Sequence, residues 1–432
     1  MAKWFERKPS AALGNTPDRK ARAKHRIGIP KVLNVWTTHQ FWLGFFAALG
    51  VPHNRVVFSS DTSEGQGREF GRGRGTVDCC YPVKCISGHY GELVFGQKRK
   101  IDILFSPMIY SLPSFMQGQV MDSLACPRVM AAPENIKAGF TKEKDVFAEN
   151  GIRYVAPLVN MGERELVPKQ LFAGLKDVLE GLTMKETRAA VEEGYRTLDA
   201  FNCEMRNRSR SILSLCARED RPCIMVLARP YHMDPGIGHE IEVDLQAYGY
   251  PILWMQYFPT DPDLLEWVFA DDLRQGFIRS PYGVTDVWPS SYSANTNEIL
   301  WGAKVAARVP WITCAIRLTS YECGMDQPTF TPVQQIIERS GTLFFSFQEL
   351  DSTKPAGSVK IRVETIAYYL QRYSQRIIEQ KKAAAAPECP LLHERLPASA
   401  ASAQSLSYGG EALKVRDGHC HSNTLAWYGR AV

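Results

Sequence analysis

Three short cysteine motifs carry the residue types best suited to chemistry in this chain. They are Asp78-Cys-Cys-Tyr-Pro-Val-Lys-Cys-Ile-Ser-Gly-His-Tyr90, Ala125-Cys126-Pro127 and Ser320-Tyr-Glu-Cys323-Gly-Met-Asp326. Each falls at the boundary of an expected strand or helix, where the functional residues of α/β folds collect. A cysteine beside proline at a helix start has a rigid backbone and nearby N–H donors that stabilise thiolate or sulfide charge. Gly324 permits a tight turn after Cys323. Taken alone, the residues leave both a metal site and buried structural thiols open. Within the metal reading, zinc fits poorly. Cys80 and Cys85 have four residues between them, but no second tight pair follows. An iron–sulfur cluster held by well-separated cysteines from two domains fits better.

Other segments offer chemistry with less specificity. Arg229, Tyr231, His232 and Asp234 directly follow an expected strand. They suit proton delivery or the anchoring of a substrate anion, with His232 titrating near neutrality; equally, Arg229 and Asp234 suit a structural loop. His89 suits a hydrogen bond to cluster sulfur or a helix cap. The glycine-rich stretch from Gly65 to Gly75 lacks the order of a phosphate loop or a dinucleotide fingerprint, and is expected to be a mobile basic loop. Cys203, Cys216 and Cys223 surround a helix and a strand start and read as small buried hydrophobes. Cys420, between His419 and His421, falls in an expected tail and is incidental.

The elements that must position these residues alternate between strand and helix. Strands are expected at 27–35, 55–58, 101–105, 128–131 and 154–157, with a helix at 41–49, which implies a parallel sheet with helices on both faces. A mainly helical stretch follows at 165–215. A second alternation then has strands at 223–227, 251–255, 311–316 and 341–346 and a helix at 360–372. The expected organisation is a basic tail (1–26), a Rossmann-like α/β domain (27–160), a helical connector (161–220), a second Rossmann-like domain (221–382) and a flexible tail (383–432). Two such domains place the carboxyl ends of their parallel sheets on a shared cleft, where ligands bind in this fold class.

Bulk composition agrees with a globular protein of two domains. The 432 residues are 45% hydrophobic and 22% charged. The longest apolar run, residues 41–51, is far short of the ~20 residues that span a bilayer. Residues 1–26 are basic without an apolar centre, unlike a secretory signal, so a cytoplasmic location is expected. There, eleven cysteines point to metal or redox chemistry rather than disulfides. The net charge of +5 is modest and much of it lies in the N-terminal tail, so no nucleic-acid partner and no membrane span are expected.

As an ordered set, these motifs resemble the 2-hydroxyacyl-CoA dehydratase and benzoyl-CoA reductase superfamily, through its activase-associated domain and its double-cubane-cluster branch. The resemblance rests on Ile27-Gly-Ile-Pro-Lys-Val-Leu-Asn34, Phe41-Trp42, Cys80-Tyr-Pro-Val-Lys84, Cys126-Pro-Arg-Val129 with Pro133-Glu-Asn-Ile-Lys137, Arg229-Pro-Tyr-His-Met-Asp-Pro235 and Ser320-Tyr-Glu-Cys-Gly-Met-Asp326. It spans about residues 26 to 375. It implies a cluster between two Rossmann-like domains, either [4Fe-4S] or a double-cubane [8Fe-9S], with Cys80, Cys126 and Cys323 as ligands. Cys79, Cys85 and Cys314 are possible additions. It also implies an oxygen-sensitive reductase component in a homodimer or hetero-oligomer. Low-potential electrons would come from a separate ATPase activator carrying its own [4Fe-4S] cluster, and would pass to a small-molecule or acyl-CoA-type substrate. The chain departs from the pattern at Met108, where double-cubane proteins carry a further cysteine, and at Ser87, which replaces the first histidine of a His-Gly-His. These departures keep open the alternative of a non-catalytic cluster-bearing subunit or scaffold.

Overall fold

Strands buried on both faces read as continuous apolar runs, and here they build parallel sheets. The computed structural model describes residues 17–75, 79–351 and 356–392. In the first half β1 (Ile27–Ile29), β2 (Val56–Phe58), β3 (Ile103–Phe105), β4 (Met108–Ser111), β5 (Arg153–Val155) and β6 (Leu158–Asn160) follow one another. β7 (Cys223–Leu227), β8 (Ile252–Trp254), β9 (Ile312–Ser320) and β10 (Leu343–Leu350) form the second half. One sheet has the order β2-β1-β3-β5 and the other β10-β9-β7-β8, and every pairing in them is parallel. β4 and β6 form a small separate parallel pair. All side chains of β7 and β9 are buried. The protein is thus an α/β fold of two domains, as expected.

Helices cover the sheets. The Val35–Ala48 helix is apolar nearly all round and is buried accordingly. It packs against the 36-residue Met184–Glu219 helix, which opens with a capping box between Thr183 and Glu186. Close approach there depends on small residues, since a Cβ on Gly44 would lie 2.4 Å from Thr197 Oγ1.

Several local expectations need correction. Residues 128–131 are not a strand; they lie in the Pro127–Thr141 helix, with Cys126 as its N-cap. Proline at the first helical turn is a helix-start signal that outweighs the apolar run after it. The glycine-rich segment is helical up to Gly71, Glu64–Gln66 continuing as the π-helical turn Gly67–Gly71, and leaves the helix at residues 72–75. It packs so closely on the Ile86–Gly91 helix that a Cβ on Gly91 would lie 2.2 Å from the Phe70 carbonyl oxygen. Cys203 is exposed, whereas Cys216 and Cys223 are buried. The described residues of the expected tails pack on the domains: Arg22 is buried against Glu186, and Leu391 is buried beyond the Ala356–Ala384 helix. Asp78 and residues 419–421 lie outside the described residues.

Candidate functional site

In parallel α/β sheets, side chains that do chemistry gather at the carboxyl ends of the strands. β7 runs into Arg229, His232 and Asp234, and its neighbour β9 runs into the 321–326 turn with Cys323. The tightness of that turn comes from Glu322, at φ 64°, in the left-handed region that a non-glycine residue occupies only at a cost. Gly324, expected to supply it, does not have a positive φ.

The first half contributes two cysteines in the same local setting. Cys80 is the N-cap of the Tyr81–Lys84 helix and Cys126 the N-cap of the Pro127–Thr141 helix, each followed by proline in the first turn. Both thiols therefore sit at the positive end of a helix. The position of Cys126 is set from both halves. The Leu124 N–H donates to the Tyr292 carbonyl at 2.8 Å, and the Ala125 N–H to the Tyr110 carbonyl at 2.8 Å.

Cys80, Cys126 and Cys323 are all buried, as is Cys79, and none is in a disulfide. Burial pushes the Cys80 thiol up to about 12, with further upward contributions from Cys323, Cys79 and Cys126. The first- and second-half thiols thus feel one another's charge. Cys85 bonds to the Tyr81 hydroxyl and is pushed up mainly by burial. Cys314 lies inside β9, and the charge acting on it is that of Lys381. Among the described residues, no three His, Cys, Asp or Glu side chains converge as they would on one metal ion.

A buried charge cluster flanks Cys323. Arg229 donates from Nε (3.1 Å) and Nη2 (2.9 Å) to Asp326 Oδ1, and Nη2 also reaches Thr296 Oγ1 at 3.3 Å. Arg317, buried within β9, donates to the Asp326 carbonyl and to Thr329. Burial pushes the Asp326 carboxyl up, but Arg229 and then Arg317 outweigh it and hold it at about 2. Two guanidiniums thus face one carboxylate. Arg229 Nη1 and Arg317 Nε remain buried without a hydrogen-bond partner.

His232 and His89 are both neutral here. Burial brings His232 down to about 4, which corrects the expectation that it titrates near neutrality. Its ring nitrogens meet the Arg229 carbonyl at 3.3 Å and Ser320 Oγ at 3.1 Å. Burial lowers His89 to about 3. Its Nδ1 meets Ser59 Oγ at 2.7 Å and its Nε2 meets Thr62 Oγ1 at 2.9 Å, so hydroxyls occupy both nitrogens and it caps no helix.

Thr62 carries this network across to the second half. Its hydroxyl donates to Asp234 Oδ2 at 2.9 Å and its N–H to Oδ1 at 3.1 Å, while the Gly236 N–H donates to Oδ1 at 2.9 Å. Burial raises Asp234 to about 6 despite these donors. Arg229 and Asp234 thus both anchor the loop, Arg229 to Asp326 and Asp234 to Thr62, and Asp234 also bonds within it to the Gly236 N–H. The two halves meet tightly here, for a Cβ on Gly236 would lie 2.1 Å from the Thr62 carbonyl oxygen. Gly236→Ala is expected to cost about 1–3 kcal/mol through overpacking, read as a lower midpoint in urea. An unchanged midpoint would show that the seam yields freely.

Sequence reasoning overlooked Arg317, Ser320 and Thr62 as partners. Arg317 was detectable as a lone charge at the end of an apolar strand; the two hydroxyls had no such signal. No helix of the described residues is long and apolar enough to cross a membrane. No curated protein matches the chain. The model of the CoA enzyme activase uncharacterised domain matches residues 26–258, which takes in Cys80, Cys126 and the 229–234 loop and stops before Cys323. That match covers more than half of the 432 residues, so the chain belongs to the CoA enzyme activase-related family.

Proposed function

We propose that this protein is the electron-accepting component of a two-protein reductase, with Cys80, Cys126 and Cys323 holding an iron–sulfur cluster of the [4Fe-4S] or double-cubane [8Fe-9S] type. The observation that supports this reading is that three buried thiols outside any disulfide come from three separate segments, and Cys80 feels the charge of both Cys323 and Cys126. The donor set fits such a group. Thiolates are the usual ligands of iron–sulfur clusters, and a cluster of several irons spreads its ligands more widely than one ion does. The surplus positive charge of Arg229 and Arg317 over Asp326 also suits an anionic occupant.

When bound, the cluster supplies one-electron reduction at low potential, and three protein thiolates on a cubane leave one iron open to a further ligand. The chain's own residues do the rest. Cys80 and Cys126 stand at helix N-termini, where the positive end of the backbone dipole faces a negatively charged ligand set. Arg229, held by Asp326, supplies a fixed counter-charge in a water-poor region where it acts strongly. Neutral His232 holds Ser320 at the end of β9 and so steadies the turn that presents Cys323. Asp234, with its value near 6, is the acid of this network closest to neutrality.

The electron donor in this reading is a separate ATPase activator with its own cluster, the acceptor is a small-molecule or acyl-CoA-type substrate, and the assembly is a homodimer or hetero-oligomer. Mixing the anaerobic protein with such an activator, ATP and a strong reductant tests it. The expected result is an EPR change on this chain that requires ATP hydrolysis and is followed by substrate turnover. An iron signal that never changes would instead mark a cluster-bearing scaffold.

A further inference from the structure

The edges of the two four-stranded sheets are not protected alike. β2, β5 and β8 close three of them and are three residues long each, and an edge that short offers little to pair with. β10 closes the fourth and is eight residues long. Alternate residues of a strand turn their N–H and C=O groups to opposite sides, so β10 presents outward a row of donors and acceptors that β9 does not use. Among the described residues, the N–H and C=O groups of residues 343–348 bond to β9 and to nothing else. The devices that keep such an edge solitary are absent from most of it. Residues 343–347, Leu-Phe-Phe-Ser-Phe, hold no charge and no proline, and the register irregularity and Glu349 come only after Phe347.

The edge is aromatic on both faces. Neighbouring strand residues point to opposite faces. Phe344 meets Phe330 of the Gln327–Arg339 helix with ring centroids 5.9 Å apart, and Phe345 meets Tyr369 of the Ala356–Ala384 helix, also at 5.9 Å. One helix therefore flanks each face of the strand. Tyr373 stacks on Tyr369 at 5.7 Å, and Tyr369 remains 39% exposed. Phe330, Phe344 and Phe345 are half-buried. Eight strand residues extend about 26 Å, and two helices with a sheet between them, each layer about 10 Å thick, give the edge a depth of about 30 Å. The footprint, about 800 Å² a side, is what a standard stable interface buries on each partner.

We infer that a second copy of this chain covers this edge, β10 pairing antiparallel with its own counterpart so that the two β10-β9-β7-β8 sheets join into one. A strand run antiparallel to its own copy is complementary to itself, and a twofold axis through the sheet keeps Phe344 of both copies on one face and Phe345 of both on the other. Aromatic side chains then meet aromatic side chains across the new strand pair, where such contacts stabilise, and the uncharged stretch sets no like charges opposite one another. The inference takes up the homodimer of the proposed function. It uses no thiol, iron or substrate, so either can fail without the other.

Sedimentation velocity of the full chain, from low to high micromolar concentration, reads the assembly directly. Wild type is expected to become dimeric across that range, with β10 amides that exchange more slowly with deuterium as the dimer forms. Phe345→Lys places a charge on the edge and Tyr369→Glu places one beside it. Each is expected to weaken the dimer about tenfold or more, with circular dichroism reporting whether the variant is folded. Tyr369→Glu changes a part-exposed helix position, so it keeps the test open where Phe345→Lys does not fold. A wild-type chain that stays monomeric, a dimer that the folded variants leave intact, or β10 amides protected equally at every concentration, as cover by another part of the same chain would give, would each overturn the assignment.

Discussion

Asp326→Ala is expected to destabilise the protein by about 3–5 kcal/mol, because it leaves Arg229 and Arg317 as buried guanidiniums without their shared counter-charge. Both arginines are essentially inaccessible to water and cannot relax outward. The same carboxylate makes stability depend on pH in a defined window. Its folded value, about 2, lies below its ordinary 3.8, so its contribution is fully present above about pH 4 and is lost as the pH falls towards 2. The shift corresponds to about 2 kcal/mol. Urea unfolding of wild type should therefore show a falling midpoint between pH 4 and 2, and Asp326→Asn should flatten that part of the curve while starting lower. Equal midpoints for wild type and Asp326→Ala at pH 7 would show that the pair is not what holds this part of the second half.

The second large effect concerns iron rather than stability. Cys80→Ala, Cys126→Ala and Cys323→Ala are each expected to lose most of the iron from anaerobically prepared protein. Cys216→Ala and Cys314→Ala should keep it. The contrast follows from position. Cys216 lies in a helix against Cys223, and Cys314 lies inside β9 near Lys381. The first three thiols lie at two helix starts and a strained turn. All five are buried, so simple accessibility does not separate the groups. Circular dichroism on the same samples distinguishes lost ligands from lost fold. Equal iron retention across the five variants would refute the ligand assignment.

How much of this was legible in the sequence depended on the range of the forces involved. Apolar runs such as Cys223-Ile-Met-Val-Leu227 identify a buried strand locally, and strand alternating with helix identifies the α/β class. The segment after Cys126 was misread because its apolar residues outweighed the proline that starts a helix. The glycine-rich segment was misread because its composition suits a loop, whereas Gly71 serves close packing against the Ile86–Gly91 helix. Candidate residues could be singled out locally, Arg229 and Asp234 because a charge is costly to bury and Cys80, Cys126 and Cys323 because each has a proline or glycine one or two residues on, at an element boundary. Their pairing was not. Nothing local ties Arg229 to Asp326, 97 positions away, or Asp234 to Thr62, 172 positions away. The protonation of His232 follows from its complete burial, which only the fold reveals.

The Arg229 and Asp326 pair links the two effects, since the ion pair that stabilises the second half also sets the charge beside Cys323. Placing a counter-charge by burying it makes the site intolerant of substitution, a cost that folds accept where a fixed field is needed.

The most direct test of the account is the iron itself. Mössbauer spectroscopy of ⁵⁷Fe-labelled protein, prepared without oxygen and paired with acid-labile sulfide analysis, counts and classifies the iron in one experiment. Iron and sulfide are expected to be bound together as a cluster in wild-type protein and to be gone from the folded Cys126→Ala variant. A fully folded wild-type chain without iron or sulfide would contradict it.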